Sequence, residues 1–416
     1  MDKRVVITGI GMLTPLANNT EQTWELLING KSGIDYIESF DTSKFECKYG
    51  GELKNFNAEE YVDEKKLRRL DRSSILAIVA ARQAIEDADL KIPLSDADNT
   101  GIALGTGIGG AHLLLENDKK LRDKGPRRVS PFLITHMLPD TASGLLSIEL
   151  GAFGPNLAVT AACATGGTVI GEAFEIIKRG DANTMITGGF EASMHPIYLA
   201  AFQAMKALAI NENPKDACKP FDIARNGFTL SEGATILILE ELNSALKRKA
   251  KIYAEVVGSA NAADGFDMVT PHEQGRGITL AMKRALEKSN IDPSAIDYIN
   301  AHGSGTPVND RVETIAIKKI FQQHAHKLAI SSTKSMIGHM MGATGAAETA
   351  IIALACKKQI IPPTINLNNH DPDCDLDYVP GIARAINVNY AMSTSVGLGG
   401  HNAAIILKKW SNDDKQ

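Results

Sequence analysis

The segment Asn156-Leu157-Ala158-Val159-Thr160-Ala161-Ala162-Cys163-Ala164-Thr165-Gly166-Gly167 passes from a short apolar strand into a glycine-marked helix. We expect the helix to run from Cys163 to about Lys178, because a basic turn and then Gly180 follow. A cysteine at this junction faces the positive end of the helix dipole and unpaired backbone N–H groups, which favour the thiolate. The segment predicts an α/β fold that carries a nucleophilic thiol.

Short β-branched runs alternate with longer helical patterns along the chain, which is typical of α/β architecture. Runs such as Val5-Val6-Ile7 do not alternate with polar residues, so helices are expected to cover both faces of the sheet. Ten strands are predicted in two sets, and they indicate an internal repeat with a boundary near residue 250. The first set is 4–9, 100–105, 156–160, 184–188 and 234–240, and the second is 253–258, 297–301, 328–331, 391–395 and 403–407.

A second glycine-marked helix is predicted from about Met341 to Lys357 and is apolar almost all round. A helix without a polar face is buried. Two buried helices from two halves would pack centrally, and this would bring Cys163 near residues almost 200 positions away.

Composition limits the functional class. The 416 residues are 44% hydrophobic and 22% charged, as in a globular protein with a large core, and the net charge of -5 argues against nucleic-acid binding. The five scattered cysteines form no Cys-x-x-Cys pair and have no histidine spacing suited to zinc, so we expect no metal site and a reducing, cytoplasmic compartment. We expect neither a signal peptide nor a membrane-inserted segment, since no apolar run is long enough to cross a bilayer.

Two histidines lie in glycine-flanked loops. His302 follows the apolar strand that ends at Ala301, which is where α/β folds place ligand groups. His339 precedes the second buried helix, whose dipole disfavours imidazolium, so a neutral ring with an N–H to donate is expected. Either histidine alone is more often structural, but two such loops together with the cysteine favour a catalytic role.

Two glycine-rich loops have different interpretations. Gly397, Gly399 and Gly400 allow backbone N–H groups to approach a ligand, as in an oxyanion hole, although a plain turn is the simpler alternative. The loop 105–110 is similar to a dinucleotide-binding loop but lacks the acidic residue and the glycine spacing of that motif. We interpret it as a site of close backbone packing.

The chain resembles the elongating β-ketoacyl-[acyl carrier protein] synthases of the synthase II type, in the thiolase-like superfamily. The resemblance covers essentially the whole chain and rests on four motifs: 162–166 around Cys163, 300–303 around His302, 306–310, and 334–339. It implies duplicated βαβαβαββ halves, 1–250 with the nucleophile and 251–412 with both histidines, in a layered α-β-α-β-α architecture.

The resemblance also implies the chemistry. Cys163 would hold the acyl chain as a thioester, and His302 and His339 would promote decarboxylation of malonyl-carrier protein and stabilise the enolate. The N–H groups of Cys163 and Leu398 would form the oxyanion hole. Lys334 would support the site by its charge, Glu313 and Glu348 would pair with nearby groups, and Asp310 would be a further supporting residue. Ser304 and Thr306 match residues that contact the pantetheine arm. Ile108, Phe202 and Leu398 match residues of the acyl pocket.

Partners follow from the same resemblance. Phe132 and Ile134 match acyl-pocket residues that lie near a homodimer interface and reach the partner's pocket. Acyl carrier proteins are acidic, so a basic docking surface is expected at Lys65, Arg68, Arg69 and Lys206, although charge runs are usually solvated helix faces. No cofactor is expected beyond the pantetheine arm on which the carrier protein holds its substrates.

The sequence departs from the family pattern at several positions. Leu398 stands where many members have phenylalanine, Val396 replaces a larger residue, and Ser304-Gly305 replaces Thr-Ser. Asn226 and Ser231 replace a common Asp and Gly. Fatty-acid elongation is the leading hypothesis, and a dedicated polyketide or polyene ketosynthase is the first alternative. A non-catalytic partner similar to a chain-length factor is disfavoured because Cys163 is present, and a thiolase is disfavoured because 397–401 contains no second cysteine.

Overall fold

The computed structural model describes residues 3–411. Fourteen strands occur in this part of the chain: Val5–Leu13 (β1), Asp35–Tyr36 (β2), Tyr49–Gly50 (β3), Thr100–Gly105 (β4), Asn156–Val159 (β5), Thr184–Glu191 (β6), Gly233–Glu241 (β7), Ala254–Ala263 (β8), Tyr298–Asn300 (β9), Ala329–Ser331 (β10), Ile360–Ile361 (β11), Arg384–Ala385 (β12), Tyr390–Gly397 (β13) and His401–Lys409 (β14). All ten predicted strands are present, and together they form one ten-stranded sheet.

The same residues form thirteen α-helices: Thr20–Ile28 (α1), Glu64–Leu67 (α2), Arg72–Asp87 (α3), Ala111–Lys124 (α4), Leu133–Met137 (α5), Thr141–Leu150 (α6), Thr165–Arg179 (α7), Pro196–Ala204 (α8), Leu242–Lys247 (α9), Arg276–Ser289 (α10), Pro307–Phe321 (α11), Lys334–Ile337 (α12) and Thr344–Lys358 (α13). The two predicted buried helices are α7 and α13. Each begins two or three residues later than predicted, because a single 3₁₀ turn precedes it, Ala162–Ala164 before α7 and Met341–Ala343 before α13.

The two halves of the chain have the same topology. The strand order is β5-β4-β6-β7-β1 in the first half and β10-β9-β13-β14-β8 in the second. In each half the first three strands of that order run parallel to one another. The fourth strand pairs antiparallel with both the third and the fifth. The element order β1-α3-β4-α6-β5-α7-β6-β7 repeats as β8-α10-β9-α11-β10-α13-β13-β14, which confirms the expected βαβαβαββ duplication.

The half-sheets meet at an antiparallel pairing of β1 with β8, where Val5 lies opposite Val256 and Ile7 opposite Ala254. Every residue of β1 is buried, as its apolar sequence, with Thr8 as the one polar side chain, predicts. Helices α7 and α13 contact each other and strands of both half-sheets, whereas α3 packs on the first half-sheet and α10 on the second. The layers are therefore α-β-α-β-α, as the resemblance implied.

Close approach of the central helices depends on glycine. A Cβ on Gly166 of α7 would lie 2.3 Å from the backbone nitrogen of Ala346 in α13. All but the last two residues of α13 are buried, so the helix has no solvated face. This contact places the N-terminal ends of α7 and α13, and the residues that precede them, side by side.

The expected division at residue 250 falls in the connection between α9 and β8. We retain 1–250 and 251–412 as a proposal for the two units; residue 412 lies outside the described residues. Within residues 3–411 no helix is sufficiently long and apolar to span a bilayer.

Candidate active site

Cys163 lies in a tight elbow between β5 and α7. Ala162 has a φ of 48°, a left-handed conformation that is costly for a residue with a side chain and typical of functional turns. Thr165 stabilises the turn, because its Oγ1 accepts from Ala161 N (2.7 Å) and donates to Ala162 O (2.7 Å). A Cβ on Gly397 would lie 3.1 Å from Cys163 N, so the loop after β13 can approach the elbow only with glycine there.

The charge state of Cys163 differs from the expectation. Burial raises the pKa of the thiol to about 11, although hydrogen bonds from the backbone N–H groups of Leu398 and Cys163 and the charge of Lys334 act in the opposite direction. The prediction that the elbow favours the thiolate is therefore wrong for the resting site, since loss of water around the sulfur outweighs the nearby donors. Both N–H groups assigned to the oxyanion hole nevertheless point at the sulfur.

His302 follows β9, where the carboxylate of Glu313 on α11 fixes the backbone. Glu313 accepts from His302 N and Gly303 N, each at 2.8 Å, and from the hydroxyl of Thr394 at 2.7 Å. The ring is 4% exposed, and its Nδ1 has no hydrogen-bond partner. Glu313 therefore orients the loop through its backbone, while the ring keeps its hydrogen-bonding capacity.

His339 lies in the segment before α13. Its backbone N–H donates to Thr229 O (2.7 Å), and its Nδ1 is 3.0 Å from the hydroxyl of Thr344. The rings of His302 and His339 are 5.4 Å apart between centroids and nearly perpendicular, at 83°. Burial and then the charge of Lys334 hold the pKa of both imidazoles well below the usual value, so both are neutral near pH 7. The neutral state was expected for His339, but burial is its main cause.

Lys334 is fully buried on α12. Its ammonium donates to the carboxylate of Glu348 on α13 at 2.5 Å and to the carbonyl oxygen of His302. Burial raises the pKa of Glu348 to about 7 while Lys334 opposes the shift, and the second oxygen of Glu348 has no partner. The pair links the helix that precedes His339 to the backbone of His302.

Asp310 is a structural anchor at the start of α11. Its carboxylate accepts from Phe221 N (2.8 Å) and Gly305 N (3.2 Å) and lies 3.8 Å from the guanidinium of Arg225. Burial nevertheless raises its pKa. Asp310 therefore fixes the loop that carries Ser304 without itself reaching the thiol.

One cavity of about 300 Å³ joins eight of the eighteen expected site residues, among them the cysteine and both histidines. Its lining includes Cys163, His302, His339, Ser304, Thr306, Phe202, Leu398 and Lys206. The hydroxyls of Ser304 and Thr306 are 2.9 Å apart on one wall. The aromatic ring of Phe228 also lines the cavity and lies 5.2 Å from the rings of both Phe202 and His339.

Several expected residues lie elsewhere in the single chain. Within residues 3–411, the cavity lining includes neither Ile108 nor the exposed Phe132 and Ile134. Lys65, Arg69 and Phe132 instead line a separate groove, in which the Arg69 guanidinium lies over the Phe132 ring at 4.7 Å. Arg68 is exposed and pairs with Glu64. Of the four basic residues, Lys206 alone lines the cavity in this part of the chain.

The sequence analysis missed Glu191, at the end of β6. This carboxylate is 1% exposed and accepts from the hydroxyl of Thr106 (2.9 Å) and the N–H groups of Gly107 (2.8 Å), Ile108 (3.2 Å) and Gly342 (3.1 Å). Burial raises its pKa to about 7 against these four donors. The glycine-rich loop 105–110 is thus a close packing site, as interpreted, and it wraps a buried carboxylate. The available signal was an acidic residue at the end of the run 184–191, which contains no other charged residue.

Among residues 3–411, no group of three or more His, Cys, Asp or Glu side chains is arranged to hold a metal ion. All five cysteines are free and buried.

Comparison with known proteins identifies the family of the chain. Residues 2–245 match the model of the beta-ketoacyl synthase N-terminal domain, and residues 253–368 match that of the C-terminal domain. The chain is 48% identical over 409 residues to 3-oxoacyl-[acyl-carrier-protein] synthase 2 of Staphylococcus aureus (strain COL), covering 98% of this chain and 99% of that protein. It is 47% identical over 409 residues to the Synechocystis protein of the same name, covering 98% of each chain.

A solved structure of a type II PKS acyl-carrier protein in complex with its ketosynthase bound to the hexaketide superimposes with a TM-score of 0.91. Identity is 31%, and the match covers 99% of this chain and 100% of that one. The family models for both halves of the sequence, the identity over nearly the whole chain and the match of the whole fold lead to one conclusion: this chain belongs to the beta-ketoacyl synthase family.

Proposed function

We propose that the chain catalyses decarboxylative Claisen condensation of malonyl-carrier protein with an acyl chain held on Cys163, giving β-ketoacyl-carrier protein in fatty-acid elongation. The observation that carries the proposal is one cavity that joins Cys163, His302 and His339, with the N–H groups of Cys163 and Leu398 directed at the sulfur. The 48% identity to a 3-oxoacyl-[acyl-carrier-protein] synthase 2 over nearly the whole chain supports it.

Acyl transfer comes first. The Cys163 sulfur attacks the carbonyl carbon of the acyl thioester, and the oxyanion accepts hydrogen bonds from Cys163 N–H and Leu398 N–H. The C–S bond to pantetheine breaks, and the thiol proton of Cys163 leaves with the pantetheine thiol. Because burial raises the pKa of Cys163 to about 11, the proton departs during the attack and not before it.

Condensation follows once malonyl-carrier protein has replaced the first carrier. The C–C bond to the carboxylate breaks, carbon dioxide leaves, and the electron pair forms an enolate whose oxygen accepts hydrogen bonds from His302 and His339. We assign the Thr344 hydroxyl as donor to His339 Nδ1, which leaves the ring proton on Nε2 for the enolate. The enolate carbon attacks the Cys163 thioester, and collapse of the oxyanion breaks the C–S bond and releases Cys163 as the thiolate, which takes up a proton from water to restore the thiol.

Lys334, Glu348, Glu313 and Asp310 support these steps from outside the cavity. The Lys334 ammonium disfavours imidazolium in both rings, which keeps their N–H groups available as neutral donors. Glu313 holds the His302 backbone and Asp310 holds the loop of Ser304. We assign Ser304 and Thr306 to the pantetheine arm, because their hydroxyls lie on one wall of the cavity beside His302.

Acyl carrier protein is the proposed partner. Lys206 lines the cavity, and Lys65, Arg68 and Arg69 form an exposed basic surface suited to an acidic protein. Phe132 and Ile134 are exposed apolar side chains outside the cavity, which supports their assignment to a homodimer interface. There they would extend the partner's acyl pocket. The other residues that we assign to this pocket are Ile108, Phe202 and Leu398. Five free thiols support a cytoplasmic location.

The experiment is a turnover assay with malonyl-carrier protein and acyl-carrier proteins from short to long, saturated and unsaturated. Elongation across saturated chains is expected. Product from short or polyunsaturated primers alone would reassign the chain to a polyketide or polyene pathway, and absence of product together with absence of an acyl adduct would favour a non-catalytic partner.

A further inference from the structure

The duplication gives the chain two elbows of the same shape. Cys163-Ala164-Thr165-Gly166 opens α7, and Gly342-Ala343-Thr344-Gly345 opens α13. The preceding residues, Ala162 and Met341, share the left-handed conformation, with φ values of 48° and 46°. Each elbow continues through one 3₁₀ turn into a central helix, so Gly342 occupies in the second half the position that Cys163 occupies in the first.

The surroundings of the two elbows also correspond. Strand β13 ends just before Leu398, whose N–H points at the Cys163 sulfur, and its counterpart β6 ends at Glu191. Strand β9 ends just before the His302 loop, and its counterpart β4 ends just before the loop 106–108. The second elbow is therefore surrounded by the equivalents of the active-site segments.

The occupants of the two elbows differ. At the first, the backbone N–H points at a reactive thiol; at the second, Gly342 N–H donates to the carboxylate of Glu191 at 3.1 Å. Thr106, Gly107 and Ile108 donate to the same carboxylate. Glu191 thus fills the anion-binding elbow that the duplication left without a nucleophile.

We propose that Glu191 closes this second elbow and is the positioning residue that holds Met341 in place as a wall of the cavity, by joining the turn 341–343 to the loop 106–108. The inference rests on the proposed function. Met341 lines the cavity and packs in one apolar cluster with Cys163, Phe202 and Phe228. Because Glu191 binds the residue after Met341 and the N–H of Ile108, it fixes both across the boundary between the two halves.

The packing around the carboxylate leaves little freedom. A Cβ on Gly107 would lie 2.8 Å from Glu191 Oε2, and a Cβ on Gly342 would lie 2.9 Å from the same oxygen and 2.4 Å from Gly107 N. Loss of the carboxylate would release the loop 106–108 and the turn 341–343 together. A long acyl chain would fill more of the cavity beside Met341 than a short chain, so its transfer should suffer more.

The test compares wild type with Glu191→Gln, Glu191→Asp and Thr106→Val. Glutamine has the same shape but turns an NH₂ group toward backbone donors. Thr106→Val is the milder change, because it removes one donor to the carboxylate and the acceptor for Gly109 N but leaves the three backbone donors in place. Glu240→Gln is the matched control. Glu240 is also a buried carboxylate, it lies on β7 away from the cavity, and it pairs with Arg248. The readouts are kcat/KM with hexanoyl- and hexadecanoyl-carrier protein, and hydrogen exchange of the amides of Gly107, Ile108 and Gly342.

Glu191→Gln is expected to lower the long-to-short ratio of kcat/KM by at least about tenfold and to speed exchange at the three amides by a similar factor. Glu191→Asp and Thr106→Val should give smaller changes in the same direction, and Glu240→Gln should leave the ratio at the wild-type value. A folded Glu191→Gln enzyme with an unchanged kcat/KM ratio and unchanged amide exchange overturns the inference. If Glu191→Gln does not fold, an unchanged ratio and unchanged exchange in Thr106→Val overturn it instead. An inactive wild type would contradict the proposed function instead, and amide exchange would still decide the role of Glu191.

Discussion

At the scale of the residue, desolvation determines the chemistry of the site more than local sequence does. Cys163 lies at a helix start with two N–H groups at its sulfur, yet burial raises its pKa to about 11. The same burial keeps His302 and His339 neutral. The motifs identify these three residues, but the sequence cannot predict the pKa values, because they depend on how completely distant segments exclude water.

Alkylation of Cys163 should reveal its raised pKa. Below that pKa the thiolate fraction grows about tenfold per pH unit, so the rate with iodoacetamide should rise about a hundredfold from pH 7 to pH 9. Mass spectrometry of the Cys163 peptide measures the rate, and Cys163→Ala corrects for the other four thiols. A rate that reaches a plateau below pH 8 would show that the elbow does favour the thiolate.

Removal of Lys334 should separate stability from activity. Lys334→Ala leaves the buried Glu348 carboxylate without its cation and should lower the free energy of unfolding by about 3–5 kcal/mol. The double variant Lys334→Met/Glu348→Leu leaves no uncompensated charge and should recover most of that loss in urea unfolding. Its condensation rate should stay low, since the ammonium no longer holds the carbonyl of His302. Full activity in the double variant would reduce Lys334 to a structural residue.

At the scale of the element, the sequence predicts which helices and strands exist better than it predicts the residues at which they begin. The ten strands could be predicted because runs such as Ile236-Leu237-Ile238-Leu239 are apolar on both faces. The starts of α7 and α13 were placed too early, because a 3₁₀ turn with a left-handed residue has no apolar periodicity. The sequence marks Glu191 as a candidate, but its set of donors was not predictable, since the four donors come from two segments more than 200 residues apart.

The glycine contact between the central helices can be tested directly. Gly166→Ala would place a Cβ 2.3 Å from Ala346 N in α13 and should cost about 1–3 kcal/mol or more of the free energy of unfolding, with loss of condensation. Gly144→Ala is the matched control in α6, where no atom lies within 4 Å of the added Cβ. That variant should gain about 0.5–1 kcal/mol, because alanine favours a helix over glycine. Equal effects of both substitutions on urea unfolding would mean that the helices do not depend on this contact.

At the scale of the whole molecule, the duplicated fold brings Cys163 from one half and two histidines from the other into one cavity. The resemblance also implied roles for Phe132 and Ile134 and for the basic residues Lys65, Arg68 and Arg69, but a single chain leaves these five residues outside the cavity. The proposed second copy of the chain would be needed to bring Phe132 and Ile134 near an acyl pocket.

Ile134 offers the test of that second copy. It is 62% exposed in the single chain, so Ile134→Asp should cost little in the monomer but should disrupt an apolar dimer interface. Light scattering after size exclusion should report a dimer for wild type and a lower mass for the variant. Ile382→Asp, at an isoleucine that is 80% exposed, should leave the mass unchanged. A monomeric wild type would contradict the proposed homodimer.

The central claim is that Cys163 holds the acyl chain and that the two histidines act in the second half-reaction. Intact-mass spectrometry of the enzyme after a pulse of acyl-carrier protein, followed by a chase with malonyl-carrier protein, tests it most directly. We predict one acyl adduct on Cys163 that the chase converts to β-ketoacyl-carrier protein, and a His302→Ala/His339→Ala variant that still forms the adduct but retains it. An adduct on another residue, or its loss from the histidine variant at the wild-type rate, would contradict the account.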